Sequence, residues 1–305
     1  MSETAQFLIT GVVAGAAYAL LSLTWALVRK VSGQLFFLSG SMVVLGVLGT
    51  NALTERGWPM APAVVVVVAS AGAVTFAVDV LILRRIARQT ELSGTLVMLA
   101  LAFAMDELLS LGFGPEPRQL APAVPGPPVS FLGASLQRQQ LLIVAATAVL
   151  ITALVLAGRS RWGKAMRACA ENPTGAMLVG IHPTAVRTVG LIIAAALGAL
   201  SGVLLGPVAA MGASSGFLLS LKGFIAAALG GWGFLGATVA GLFLGLTESL
   251  TAGYISSDLK DVVSLALLLL VLLGKDSIRL RRRVRNVRVS DDRREAPLPS
   301  HSVTD

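Results

Sequence analysis

Apolar residues fall into blocks close to the ~20 residues that carry a helix across ~30 Å of hydrocarbon. The blocks are residues 5–28, 35–53, 61–83, 94–113, 139–158, 188–211, 233–253 and 257–274, separated by short stretches bearing charge, glycine or proline. A ninth block, 217–230, is shorter and is interrupted by Lys222 and Gly223. The pattern predicts an all-α, polytopic transmembrane helix bundle of about 8 to 9 spans, one of them short or broken. With no soluble block between them, residues 1–275 read as one membrane domain, and residues 276–305 as a basic, disordered cytoplasmic tail. The longest polar interruption runs from Arg159 to Arg187. Within it, Ala165 to Val179 predicts a short surface helix broken at Asn172-Pro173, because the residue before a proline is pushed out of the helical region. Arg167 and Glu171 lie four apart on its first piece.

Charge orients the blocks. Hydrophobic residues make up 55% of the chain and charged residues only 13%, with a mean hydropathy of +0.81, against about 25% charged in soluble domains. Lys and Arg are retained on the cytoplasmic side of short loops. Placing Arg29/Lys30, Arg84/Arg85/Arg88, the Arg159–Arg187 segment and the tail inside puts nineteen of the 24 basic residues there. Block 217–230 must then also cross, or pair with a neighbour to do so. The expected topology is N-terminus outside and C-terminus cytoplasmic in the plasma or inner membrane. The +8 charge is thus a topology signal and not a nucleic-acid footprint; Arg279 to Arg288, just past the last block, would attract anionic lipid. The first block has no basic residues before it and its charges follow it, so it reads as a retained span rather than a cleaved signal.

Chemistry-bearing patterns are sparse. One cysteine, Cys169, excludes an internal disulfide and a Cys-rich metal site. No HExxH or GxxxxGK[ST] pattern occurs, so neither zinc-protease machinery nor a nucleotide-cradling loop is expected, and energy from ATP would come from another subunit. No cofactor or metal is implied. Ionisable residues inside blocks are costly there; these are Asp79, Asp106, Glu107, Lys222 and Glu248. Glycines spaced four apart, Gly11/Gly15, Gly198/Gly202/Gly206, Gly212/Gly216 and Gly241/Gly245, predict close helix packing. The segment from Pro115 to Gln137 holds six of 13 prolines and cannot be helical throughout.

The segment RACAENPTGAMLVGIHPTAVR, followed by GALSGVLLGP, resembles the cytoplasmic coupling loop and next helix of the permeases of branched-chain amino acid ABC transporters. FIAAALGGWGFLGATVAGLFLGLTES, Phe224 to Ser249, is similar to the same family's glycine-rich signature. GVVAGAAYALLSLTWALV fits its first span and LGFGPEPRQL the close of its fourth. The resemblance implies an importer permease partnered by ABC ATPase subunits, a second permease subunit, homologous or identical, and an extracytoplasmic substrate-binding protein, all around a lipid bilayer. It places the coupling knob at about 159–187, with Gly163, Arg167, Ala168, Glu171, Asn172, Pro173, Gly180 and Ile181 as coupling residues.

One segment departs from the family. Where its members commonly carry Asn-Phe-Ala-His-Gly, this chain has Phe36, Phe37, Leu38, Ser39 and Gly40. An amide and an imidazole give way to an aromatic ring and a hydroxyl. This leaves the cargo open between branched-chain amino acids, a related small amino acid or amide, and a more apolar solute. The clustering of polar residues and glycines in apolar blocks suggests a pathway lined by Gln34, Phe36, Ser39, Ser41, Glu107 and Lys222, with Gly230, Gly231 and Gly233 breaking a span. The alternative function is a secondary carrier or channel working without an ATPase.

Overall fold

The computed structural model describes residues 2–86, 91–124, 126, 129–131, 134–255, 259, 262–267 and 269–270. The expected last span, 257–274, is covered only in part, and the tail, 276–305, lies outside the described residues.

The chain is built from helices in the order α1 (Ser2–Ser32), α2 (Leu38–Glu55), α3 (Met60–Val78), a π-helical turn (Asp79–Leu83), α4 (Arg84–Ile86) and α5 (Glu91–Phe113). A hairpin of β1 (Val129–Phe131) and β2 (Ala134–Leu136) follows, pairing Ser130 with Ser135. Then come α6 (Arg138–Arg159), α7 (Arg161–Glu171), α8 (Pro173–Leu178), α9 (Pro183–Leu205), α10 (Gly216–Leu229) and α11 (Phe234–Tyr254). Among the described residues six helices are long and apolar enough to cross a membrane: Thr4–Ser32, Met60–Leu83, Ser93–Phe113, Arg138–Arg159, Pro183–Leu205 and Phe234–Tyr254. Helix α10 has fourteen residues, about 21 Å at ~1.5 Å per residue, less than the hydrocarbon thickness.

Helix α2 is the centre of the bundle. Every residue from Leu38 to Asn51 is buried, with α9, α3, α10 and α5 around it. Helix α1 organises the other half against α11, α9, α10 and α6. Its partner α11 runs antiparallel along its full length, because Phe7 meets Gly253, Gly11 meets Leu246, Gly15 meets Leu242 and Ala19 meets Gly241.

Missing side chains are what allow these approaches. Apolar helices in lipid gain nothing from expelling water and must associate by close backbone contact. Two of the glycine pairs read from the sequence, Gly11/Gly15 and Gly241/Gly245, lie on the α1–α11 seam: a Cβ on Gly245 would lie 2.1 Å from the Gly15 nitrogen. One on Gly202 would lie 2.0 Å from the Val43 carbonyl oxygen, where α9 crosses α2. The tightest crossing is α2 on α10, where a Cβ on Gly40 would sit 1.7 Å from the Gly216 oxygen. Backbone on one side cannot yield as a flexible side chain would. Gly40→Ala is therefore expected to destabilise the fold by about 1–3 kcal/mol. Thermal unfolding of the purified protein in detergent checks this, and an unchanged melting temperature would contradict the crossing.

Candidate functional site

Two regions concentrate polar chemistry. The first is a buried network inside the bundle. The Lys222 ammonium on α10 lies 3.1 Å from Glu248 Oε1 on α11. The Tyr18 hydroxyl on α1 donates to Glu248 Oε2 at 2.6 Å, and Lys222 donates to Tyr18 at 3.3 Å. Ser264 donates to the other carboxylate oxygen. All four side chains are buried, so the arrangement joins four segments through one ion pair.

Beside it runs a ladder of rings from α5 to the α10–α11 turn. Phe103 stacks on Phe217 at 5.1 Å, Phe217 on Phe37 at 6.4 Å, and Phe37 meets Trp25 edge-on at 5.0 Å. Trp25 continues to Phe224 at 5.2 Å and Phe224 to Trp232 at 5.7 Å. The Arg29 guanidinium carbon lies 4.2 Å from the Trp232 ring centroid. Phe103 is 52% exposed, so the ladder begins on an open face of α5. Asp106 stands one turn on, packed against Gly216, where any side chain would collide with it. Its Oδ1 is buried without a hydrogen-bond partner among the described residues.

The expected pathway residues fall into two groups. Ser39 lies 3.0 Å from the Ser220 hydroxyl, which donates to the Phe37 carbonyl; Ser41 donates to the Ala102 carbonyl at 3.2 Å. Phe36 is fully buried and Gln34 nearly so, its amide against Gly94. Glu107 instead points outward on α5, and Lys222 is held in the network above. Gly230 and Gly231 do not break a helix within its length; they form the turn between α10 and α11. Gly231 has a positive φ of 69°, and its N–H and that of Trp232 cap the carbonyls of Ala228 and Ala227. This double cap requires a left-handed residue, which glycine supplies. Gly230 touches the Gly236 backbone, where a Cβ would lie 2.2 Å from a carbonyl carbon.

The second region is the helix pair α7 and α8. Gly163, Met166 and Cys169, three apart, form the buried face of α7. Gly163 rests on the Gly158 carbonyl, and the Arg167 guanidinium donates to that same oxygen at 2.8 Å, tying α7 to the end of α6. Ala168 is half-buried and Glu171 exposed. Burial pushes the Cys169 thiol up from its ordinary value. Asn172 separates the helices: its Oδ1 accepts from the Gly175 N–H at 2.9 Å, and Pro173 opens α8. At the other end Gly180, with φ 81°, and Ile181 donate to the carbonyls of Met177 and Ala176. Helix α8 is thus a six-residue pedestal capped at both ends. Its last turn presents Met177, Leu178 and Val179, exposed by 54%, 85% and 73%. Sequence reading named the flanking Gly180 and Ile181 but missed this apolar tip. Its signal was three consecutive apolar residues at the end of a polar segment.

Helix α9 carries that pedestal into the bundle through a buried carboxylate. Asp79, fully buried at the π-turn after α3, accepts from Arg187 at 2.8 Å, Thr188 at 2.5 Å and Arg84 at 3.3 Å. Asp79 is the first residue of the π-turn.

A bundle of membrane-length helices, closely packed through glycine and carrying a short helix pair between α6 and α9, defines a polytopic membrane protein. Residues 7–272 match the family described as branched-chain amino acid transport system / permease component, and the chain belongs to that family. It is 31% identical over 284 residues to the high-affinity branched-chain amino acid transport system permease protein LivH of Escherichia coli, covering 88% of this chain and 92% of that protein. The corresponding permease protein BraD of Pseudomonas aeruginosa matches with the same identity and coverage. A probable branched-chain amino acid transport permease of Methanocaldococcus jannaschii is 31% identical over 110 residues, 36% of this chain and 35% of that one. The family is one of transport components, not of enzymes.

Proposed function

We propose that this chain is the membrane subunit of an ABC importer and forms the translocation pathway for branched-chain amino acids or a related small amino acid or amide. Separate ATPase subunits drive it, a second permease subunit, homologous or identical, completes the pathway, and an extracytoplasmic binding protein delivers the cargo. The bundle has 8 to 9 spans, its N-terminus outside and its C-terminus, with the α7–α8 pair, in the cytoplasm. The antiparallel run of α1 and α11 supports that topology, since it brings Arg29 and Lys30 to the Trp232–Phe234 turn, at the same end as α7.

The observation that carries the reading is the capped pedestal with its apolar tip. Met177, Leu178 and Val179 are exposed at the end of a six-residue helix capped at both ends. Exposed apolar side chains grouped at a rigid tip mark a protein contact, and a groove on an ATPase is the partner the family membership supports. The cargo side of the reading rests on the α5 face. Phe103 and Phe217 offer an apolar surface for an aliphatic side chain, and Asp106 offers a carboxylate for an ammonium group. Neither the amide nor the imidazole of the family segment is needed for a cargo held this way.

The test is uptake into proteoliposomes. Leucine, isoleucine or valine should accumulate only when the permease is reconstituted with its ATPases, binding protein and ATP. Accumulation by this chain alone, driven by a proton or sodium gradient, would replace the importer reading with a secondary carrier.

A further inference from the structure

A cavity of about 380 Å³ opens between the end of α1, the α6–α7 corner and the first turn of α11. Three cations line it, Lys30, Arg159 and Arg167, and no carboxylate does. Among the described residues neither Lys30 nor Arg159 forms an ion pair, whereas Asp79 and Glu248 neutralise the cations of the other buried clusters. Arg167 is held at the rim by its bond to the Gly158 carbonyl, and Lys30 lies 3.7 Å over the Phe234 ring. The first turn of α11 adds to the same potential. Its N-cap is Gly233, with no side chain to satisfy the N–H groups of Phe234, Leu235 and Gly236, which lie at the cavity wall.

The other wall is apolar. Val155, Phe234 and Leu235 line the cavity, and exposed Leu235 and Val239 continue along α11 away from it. An anion with a hydrocarbon tail fits this pairing of a cationic pocket and an apolar stripe better than a free ion does.

We propose that this cavity is a phosphate-binding site that takes the headgroup of an anionic glycerophospholipid, with the acyl chain lying along Leu235 and Val239. Phosphate oxygens meet Lys30, Arg159 and Arg167, and the bound lipid wedges the α6–α7 corner against α11, setting the angle at which α7 leaves the bundle.

The test uses the full chain in nanodiscs of phosphatidylcholine with a minor fraction of phosphatidylglycerol, counting the lipid retained per protein by native mass spectrometry. Lys30→Gln combined with Arg159→Gln should lower the preference for phosphatidylglycerol about thirtyfold, as expected for two cations near a membrane surface. Arg161→Gln with Lys164→Gln removes the same charge from exposed positions of α7 outside the cavity and should leave the preference intact. So should Lys30→Arg with Arg159→Lys. Equal loss in both neutralised pairs would overturn the site in favour of general surface charge. As a measurement independent of any variant, the melting temperature of the unmodified chain should rise with phosphatidylglycerol and not with inorganic phosphate. A rise with inorganic phosphate alone would overturn the lipid assignment, and no rise with either would overturn the site.

Discussion

Replacing Glu248 with alanine is expected to destabilise the bundle by about 3–5 kcal/mol, the range for removing one partner of a buried ion pair. The Lys222 ammonium would remain where it is 8% exposed, with its counter-charge gone and the Tyr18 hydroxyl and Ser264 deprived of their acceptor. Lys222 comes from α10, Glu248 from α11 and Tyr18 from α1, so the loss loosens the seam on which three helices agree. The double variant Lys222→Met/Glu248→Leu, which leaves no buried charge, should cost much less than either single change. Thermal unfolding of the three variants in detergent measures the coupling. Strictly additive losses would show that the pair is not one unit.

The second large effect concerns transport. Leu178→Asp should weaken docking of the ATPase by about thirtyfold, the consequence of losing a ~2 kcal/mol apolar anchor, and uptake should fall with it. The melting temperature should not change, because Leu178 is 85% exposed. That separation distinguishes a docking residue from a structural one. Asn172→Ala acts differently. It removes the cap that fixes the first turn of α8 and should cost about 1 kcal/mol of local order, with a partial loss of uptake.

How much of this was legible in the sequence depends on how local each cause is. The break at Asn172-Pro173 is a property of two adjacent residues, and it appears where expected. The glycine pairs were legible as pairs, and the structure adds that Gly11/Gly15 and Gly241/Gly245 are partners of one another. The ionisable residues were legible singly, because each is an anomaly in an apolar block. Their partners were not: Asp79 meets Arg187 across 108 positions and Lys222 meets Glu248 across 26, and only the rotation of each helix about its axis decides such meetings. The block 217–230 is short in the sequence, and helix α10, with fourteen residues, is short in the structure. Gly230 and Gly231 read as a break within a span because apolar residues continue on both sides. The positive φ of Gly231 and Trp232 turns the chain there instead.

If the α8 tip seats in a cytoplasmic ATPase, a cross-link can capture the contact. Leu178→Cys can be introduced without removing the native cysteine, since Cys169 is buried and its thiol is pushed up, leaving little reactive thiolate. With the assembled transporter in membranes, a short bifunctional thiol reagent should join position 178 to a cysteine placed in the ATPase groove. Labelling of that cysteine by a membrane-impermeant maleimide added to the outside of intact cells, with no cross-link to the ATPase, would contradict the account.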